Sequence, residues 1–175
     1  MHLRAVVIWK KIILPGTIKK IQASAFAECI NLKTVIHRGN GILELGYEAF
    51  NDCPALSYFS SLGTVKLIAS NVFSNCTELK NLDCQFCGKI PDNSFRHCTQ
   101  LEEISFGFSE TKICSGAFVG CKNLKRIISR GKIEFSNTLE NRLKKCEIHC
   151  YNDSSLIDLA YTGQKIIIIE DTLPF

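Results

Sequence analysis

The sequence has no long apolar run. Its clearest ones, Ala5 to Trp9 and Ile166 to Ile169, fall far short of the ~20 residues a membrane-spanning helix needs. A secretory leader is not expected either. The first apolar stretch is short, Lys10 and Lys11 follow it at once, and there is no small-residue cleavage pattern. Charge of one sign is scarce: 21 Lys and Arg against 17 Asp and Glu leave a net +4, which alone selects no class of partner. Catalytic signatures are missing as well. There is no nucleophile elbow, P-loop, HExxH or dinucleotide fingerprint, and the carboxylates are scattered. His2, His37, His97 and His149 do not cluster. An enzyme is not expected, nor is a cofactor.

What is present is the composition of a folded chain. Hydrophobic residues make up 46% and charged residues 22%, which argues against disorder. The 175 residues suffice for one domain with a sizeable core. Ten cysteines is a high and even count. In a small secreted chain it would suggest a disulfide framework. Their positions argue otherwise.

Five segments superimpose without gaps: Ala25 to Leu32, Ala49 to Leu56, Val72 to Leu79, Ser94 to Leu101 and Ala117 to Leu124. Phe26, Phe50, Phe73, Phe95 and Phe118 are separated by 24, 23, 22 and 23 residues. Cys29, Cys53, Cys76, Cys98 and Cys121 follow three residues later, and Leu32, Leu56, Leu79, Leu101 and Leu124 three after that. Val35, Phe59, Leu82, Ile104 and Ile127 continue the spacing, and Ile21, Leu45, Ile68, Ile90 and Ile113 stand five before each Phe. Leu3, Val6, Trp9 and Ile12 extend the register backwards as a degenerate first turn without the Phe or Cys. Forwards it fails, because Asn141 and Lys144 occupy the positions due for Phe and Cys.

Such self-similarity at a fixed period marks a repeat architecture. Phe and Cys three apart share one face of a helical turn, and Ser24, Asn71 and Asn93, two before the Phe, suit an N-cap. The stretch from each Leu onward reads as a short strand, and one strand per turn stacks into a parallel sheet with neighbours ~4.8 Å apart. Pro15, Gly16, Gly39, Gly63 and Gly131 mark corners. No single repeat can bury its Phe, Cys and Leu, so the array is the folding unit.

The repeat resembles that of the BspA-like leucine-rich repeat family, roughly I-x-x-x-A-F-x-x-C-x-x-L-x-x-I-x-L-P. Ile12-Ile-Leu-Pro15 is similar to its strand ending, and the likeness covers about Leu3 to Ile128. The tail, Cys146 to Tyr161 and then Lys165 to Glu170, is similar to the family's closing unit of strand, short helix and strand. Read from its residues, Asp153 or Ser154 caps a helix with Leu156, Leu159 and Ala160 on one face, Gly163 ends it, and Ile166 to Ile169 covers the last sheet edge. The expected fold is an α/β repeat, a right-handed leucine-rich-repeat solenoid with short parallel strands, short helical turns and a strand-helix-strand cap. Residues 1–146 make about six turns, the first and last degenerate, and 147–175 make the cap of the same structural unit.

The ladder cysteines read as free, buried and structural. Stacked cysteines point the same way one strand spacing apart, whereas a disulfide needs Cβ atoms that face each other. Cys84-Gln-Phe-Cys87 is a CxxC, but Cys84 falls on the inward strand position of Leu14, His37, Ser61, Phe106 and Ser129. Cys87 falls eight before Phe95, with Ile18, Ile42 and Val65, so both read as core. A second CxxC at zinc spacing is missing, and no metal is expected. Cys146 and Cys150, with His149 between, are the better metal or disulfide candidates. Between Lys122 and Lys145, eight basic residues (Lys122, Lys125, Arg126, Arg130, Lys132, Arg142, Lys144 and Lys145) face Glu134 and Glu140. This basic stretch reads as a solvated surface, and nucleic acid is not expected.

Side chains alternate along a strand, so the residues beside the inward ones form the candidate binding face. In register these are Lys11 and Ile13, Thr34 and Ile36, Tyr58 and Ser60, Asn81 and Asp83, Glu103 and Ser105, and Arg126 and Ile128. Tyr58 and Arg126 are the best anchors by type. The expected function is a protein-binding scaffold. The family resemblance implies surface recognition and adhesion to host or matrix proteins, with the chain secreted or at the cell surface. An intracellular interaction scaffold is the alternative, and a cysteine-based redox or metal protein a distant third. The partner is expected to be a protein, and the chain a monomer.

Overall fold

A computed structural model describes residues 9–136, 146–151 and 165–169. The chain winds as a parallel-strand solenoid of about six turns. The front wall is made of β1 (Lys11–Leu14), β3 (Thr34–His37), β5 (Tyr58–Leu67), β6 (Asn81–Ile90), β7 (Glu103–Ile113), β8 (Arg126–Ser129), β10 (Glu147–Tyr151) and β11 (Lys165–Ile169), side by side in that order. Every pairing is parallel.

The sequence led us to expect one short strand per turn, and the structure has a second wall. β2 (Lys20–Ile21) pairs with β4 (Leu43–Leu45), β4 with the far half of β5, and β9 (Ile133–Phe135) with the far half of β7. In the middle turns one strand of ten or eleven residues bends around the corner and serves both walls. The register slips at that corner, between Ser60 and Thr64 and between Phe86 and Gly88. These slips explain two misplaced positions. Val65 pairs with Leu43 and Phe86, so Phe86 rather than Cys87 fills the core, and Ile42 is exposed. Leu67 pairs with Leu45, and Ile68 is displaced outward.

The helical turns are the main correction. No helix is present among the described residues. Ser24, Glu48, Asn71 and Asn93 have φ of 54°, 54°, 60° and 58°, and Glu28, Asp52, Asn75 and His97, four residues later, have 59°, 54°, 61° and 57°. Left-handed residues cannot continue a right-handed helix. Linked β-turns form instead, closed by bonds such as Ala27 N to Ser24 O at 3.2 Å and Leu32 N to Cys29 O at 3.0 Å. The Phe amides then donate across turns: Phe26 to Ala49 O, Phe50 to Val72 O, Phe73 to Ser94 O and Phe95 to Ala117 O, all at 2.8–2.9 Å. Asn71 and Asn93 are therefore turn residues, not N-caps. Asn tolerates the left-handed region, which is what the position requires. Gly120 takes the corresponding place at φ 81°, under the His97 ring.

Between the walls and turns lies one continuous core. Phe26, Phe50, Phe73, Phe95 and Phe118 form a stack with ring centroids 5.3–5.4 Å apart and planes within 12°. Phe59 and Phe86 meet it edge-on. The Phe, Cys and Leu of the five superimposed segments are buried except Phe26, half-buried at the stack's end. Each later ladder thiol donates to the Phe carbonyl of the turn before: Cys53 to Phe26 at 3.0 Å, Cys76 to Phe50 at 3.2 Å, Cys98 to Phe73 at 3.1 Å and Cys121 to Phe95 at 2.9 Å. This supplies a reason for cysteine at the position. It is a small apolar side chain with a weak donor that reaches a carbonyl otherwise left under-satisfied.

At the C-terminal end β10 pairs with β8 and β11 with β10. The helix expected between them, with Asp153, Ser154, Leu156, Leu159, Ala160 and Gly163, lies outside the described residues. So do Leu3, Val6, Asn141 and Lys144. Trp9 is 57% exposed at its ladder position on the terminal turn.

Candidate protein-binding face

The front wall builds two outward rows. One runs Lys11, Thr34, Tyr58, Asn81, and then Glu103, Arg126 and Glu147. The other runs Ile13, Ile36, Ser60, Asp83, and then Ser105, Ile128, His149 and Ile167. Asn81, Asp83 and Arg126 are exposed; Thr34, Ile36, Tyr58, Glu103, Ser105 and Ile128 are half-buried. Ser60 is buried at 8%, so it is floor rather than contact surface. The inward row between them holds His37, whose Nδ1 lies 2.9 Å from Ser61 Oγ and whose Nε2 lies 3.0 Å from Ile18 O. A carbonyl can only accept, so Nε2 donates to Ile18 O.

Contacts on the face run from turn to turn. Tyr58 donates its hydroxyl to Asp83 at 3.1 Å, and Arg126 reaches Glu103 at 2.7 Å. A flanking row adds Lys80 to Glu102 at 3.2 Å and Lys125 to Glu102 at 3.0 Å, and these lysines hold the Glu102 carboxyl below its usual range. A depression of about 460 Å³ is lined by Tyr58, Lys80, Asp83, Glu102, Glu103 and Arg126. Two more, of about 680 Å³ and 620 Å³, share Asp83 with it and meet each other at Ser61, Leu62 and Asp83.

Sequence reasoning missed the row that begins with Lys80, Glu102 and Lys125, one residue before each strand. It also missed Leu62 and Phe108, exposed at 77% and 74% where the strands turn the corner. The signal for the row was the recurrence of charge one residue before a front-wall strand, at Lys10, Lys33, Lys80, Glu102 and Lys125. Alternation gives no signal at the corner, because the backbone leaves the period-two pattern there.

The basic stretch looks different in three dimensions. Lys125 and Arg126 meet Glu102 and Glu103, Lys132 meets Glu110 and Glu134, and Arg130 lies 5.5 Å from the Phe108 ring centroid. Acids one turn earlier offset this part of the run; Glu140, Arg142, Lys144 and Lys145 lie outside the described residues. All ten cysteines are free. Burial pushes the Cys146 and Cys150 thiols up to about 11, and Cys146 donates to Leu124 O at 3.1 Å. His149 lies 3.3 Å from Glu147.

A family profile described as BspA type leucine rich repeat region matches in six copies, over residues 7–125 and 88–172. The chain belongs to the BspA-type leucine-rich repeat family. It is thus a repeat scaffold, and the two-walled turn with its Phe and Cys ladder is how this BspA-type chain builds its repeat. No curated protein matches it. Among solved structures, it is similar to a leucine rich cell surface protein from Faecalibacterium prausnitzii A2-165, at 15% identity over 93% of this chain and 79% of that one, with a TM-score of 0.29.

Proposed function

We propose that this BspA-type chain is a protein-binding scaffold of the surface-recognition kind, with its ligand on the front wall. The observation that carries the reading is the face itself. Tyr58, Asp83, Glu103 and Arg126 surround one depression of about 460 Å³, are held in place by contacts across turns, and leave polar groups open to water. A concave site with convergent polar groups and Tyr and Arg anchors suits a protein ligand. The core below makes the wall rigid, so little ordering entropy is lost on binding.

The test is capture by wild-type chain and by the double variant Tyr58→Ala with Arg126→Glu, from matrix and from cytosolic extract. A partner retained by the wild type and lost by the variant is expected. Equal retention of every captured protein places the ligand elsewhere.

One observation favours a second reading, an intracellular interaction scaffold. Ten free cysteines suit a reducing compartment better than an oxidising one. Protease treatment of intact cells that express the full-length protein separates the two. Loss of the chain supports the surface reading, and its survival supports the intracellular one.

A further inference from the structure

Charge is divided unevenly along the front wall, and the division is the reverse of what the sequence suggests. The later turns carry Lys80, Lys125 and Arg126, each within 3.2 Å of a glutamate. The first two turns carry Lys10, Lys11, Lys33 and Arg38, all exposed. Among the described residues none of these four has an ion pair. No acidic residue precedes Glu28 in the chain, and none lies between Glu28 and Glu44. Lys33 and Thr34 both donate backbone hydrogen bonds to Lys10 O, at 2.8 and 3.1 Å, and Lys11 pairs with Thr34, so three of the cations sit on adjacent strands.

Apolar surface lies among these charges. Ile13 is 45% exposed and pairs with half-buried Ile36. Ile36, Arg38, Ser60, Ser61 and Leu62 line the depression of about 680 Å³, with Asp83 on its far side. That volume is within the range that admits a large side chain, and Leu62 gives it an apolar lip.

We propose that this end of the front wall docks an acidic protein segment, with an apolar side chain seated between Ile36 and Leu62 and carboxylates against Lys11, Lys33 and Arg38. The inference rests on the reading of the front wall as the binding face and specifies the chemistry of its partner. Charge complementarity selects the acid, since four cations with no ion pair among the described residues raise the local anion concentration and the rate of encounter. The depression selects a protein segment over a sulfated glycan or a lipid headgroup, because those ligands offer no apolar side chain to fill it. Asp83 sets the direction. It disfavours carboxylates beyond the depression, so the acidic part of the ligand lies toward the first turn.

The test uses fluorescence anisotropy with three probes: a fluorescein-labelled Asp/Glu peptide with one central Phe, the same peptide with Asn and Gln for the acids, and the acidic peptide with Ser for Phe. Heparin and vesicles containing phosphatidylserine compete. The full chain is compared with Lys33→Glu/Arg38→Glu, with Lys122→Glu, which is exposed away from the front-wall depressions, and with Tyr58→Ala/Arg126→Glu. The acidic Phe peptide is expected to bind at least about tenfold more tightly than either control, and to weaken at least about tenfold for the Lys33/Arg38 variant and with added salt. Less than a twofold change is expected for Lys122→Glu. Absence of binding to the acidic Phe peptide, equal affinity for the control peptides, or unchanged binding by the Lys33/Arg38 variant overturns the proposal. So does stronger binding of heparin or vesicles than of the peptide. Peptide binding lost only in the Tyr58/Arg126 variant leaves the front wall as the site and rejects this end of it. Binding unaffected by either variant rejects the wall itself.

Discussion

At the residue scale, the phenylalanine stack is the part of the core with least freedom to adjust. Phe73 is fully buried, lies between Phe50 and Phe95 at 5.4 Å from each, and meets Phe59 edge-on at 5.2 Å. Phe73→Ala is expected to cost about 3–5 kcal/mol, because turns on both sides prevent the cavity from collapsing. A melting temperature within a degree or two of wild type would show that the stack does not hold the turns together. The thiols give a second expectation. Burial raises Cys29, Cys146 and Cys150 to about 11, against about 9.0 in the unfolded chain. Between those values the unfolded state has released these protons and the folded state has not, so stability falls as pH rises. Below about 9.0 the contribution is fully present. Thermal melts are expected to be level from neutral pH to about 9.0 and to decline from there up to about 11, a decline made shallower by Cys29→Val/Cys150→Val. A decline of the same slope in that variant would assign it to other groups. Cys and Phe were plain in the sequence at this scale. The left-handed residues were equally visible, as Glu, Asp, Asn, His and Gly two after each Phe, but were not read as a set.

At the element scale, the solenoid depends on paired edges. β10 lies on β8 with Glu147 opposite Arg126 and Ile148 opposite Ile127, and both isoleucines are fully buried. Ending the chain before Cys146 is expected to open the β8 edge and cause aggregation. Light scattering of the truncated chain checks this. A monomeric, cooperatively folded product would make the last strands an appendage. Added salt is expected to have little influence, because Lys125 and Arg126 are already offset by Glu102 and Glu103. The front-wall strands were legible from the LxxI spacing. The second wall was not, because register slips at the corners of β5 and β6 put Leu43, Leu67 and Phe86 inside where a fixed spacing from Phe points to Ile42, Ile68 and Cys87.

At the scale of the whole molecule, each turn touches only its neighbours, so stability is greatest where both neighbours exist. The amides of Phe50, Phe73 and Phe95 bond to the following turn and lie under fully buried rings. Their hydrogen exchange is expected to be slowest, with faster exchange at Thr34 and Val35 near the N-terminal end. Uniform protection would mean that the turns unfold as one unit; slower exchange at the end would place the stable nucleus there. Among the described residues, the same linear arrangement separates the charges of the front wall into a cationic end without ion pairs and a paired middle.

Chain chemistry alone determined that this protein is an array. The apolar demand of Phe, Cys and Leu recurs at one period, and no single repeat can bury it. Local preference left the shape of each turn open at Asn71 and Asn93, since Asn suits a helix cap and also tolerates a left-handed corner. Tertiary structure chose the corner, because hydrogen bonds from the Phe amides and Cys thiols to the adjacent turns satisfy groups that a helix would have turned inward on itself. It also decided the electrostatics. Residues about 23 apart in sequence become neighbours, so whether a lysine is free depends on which side chain stands one turn away.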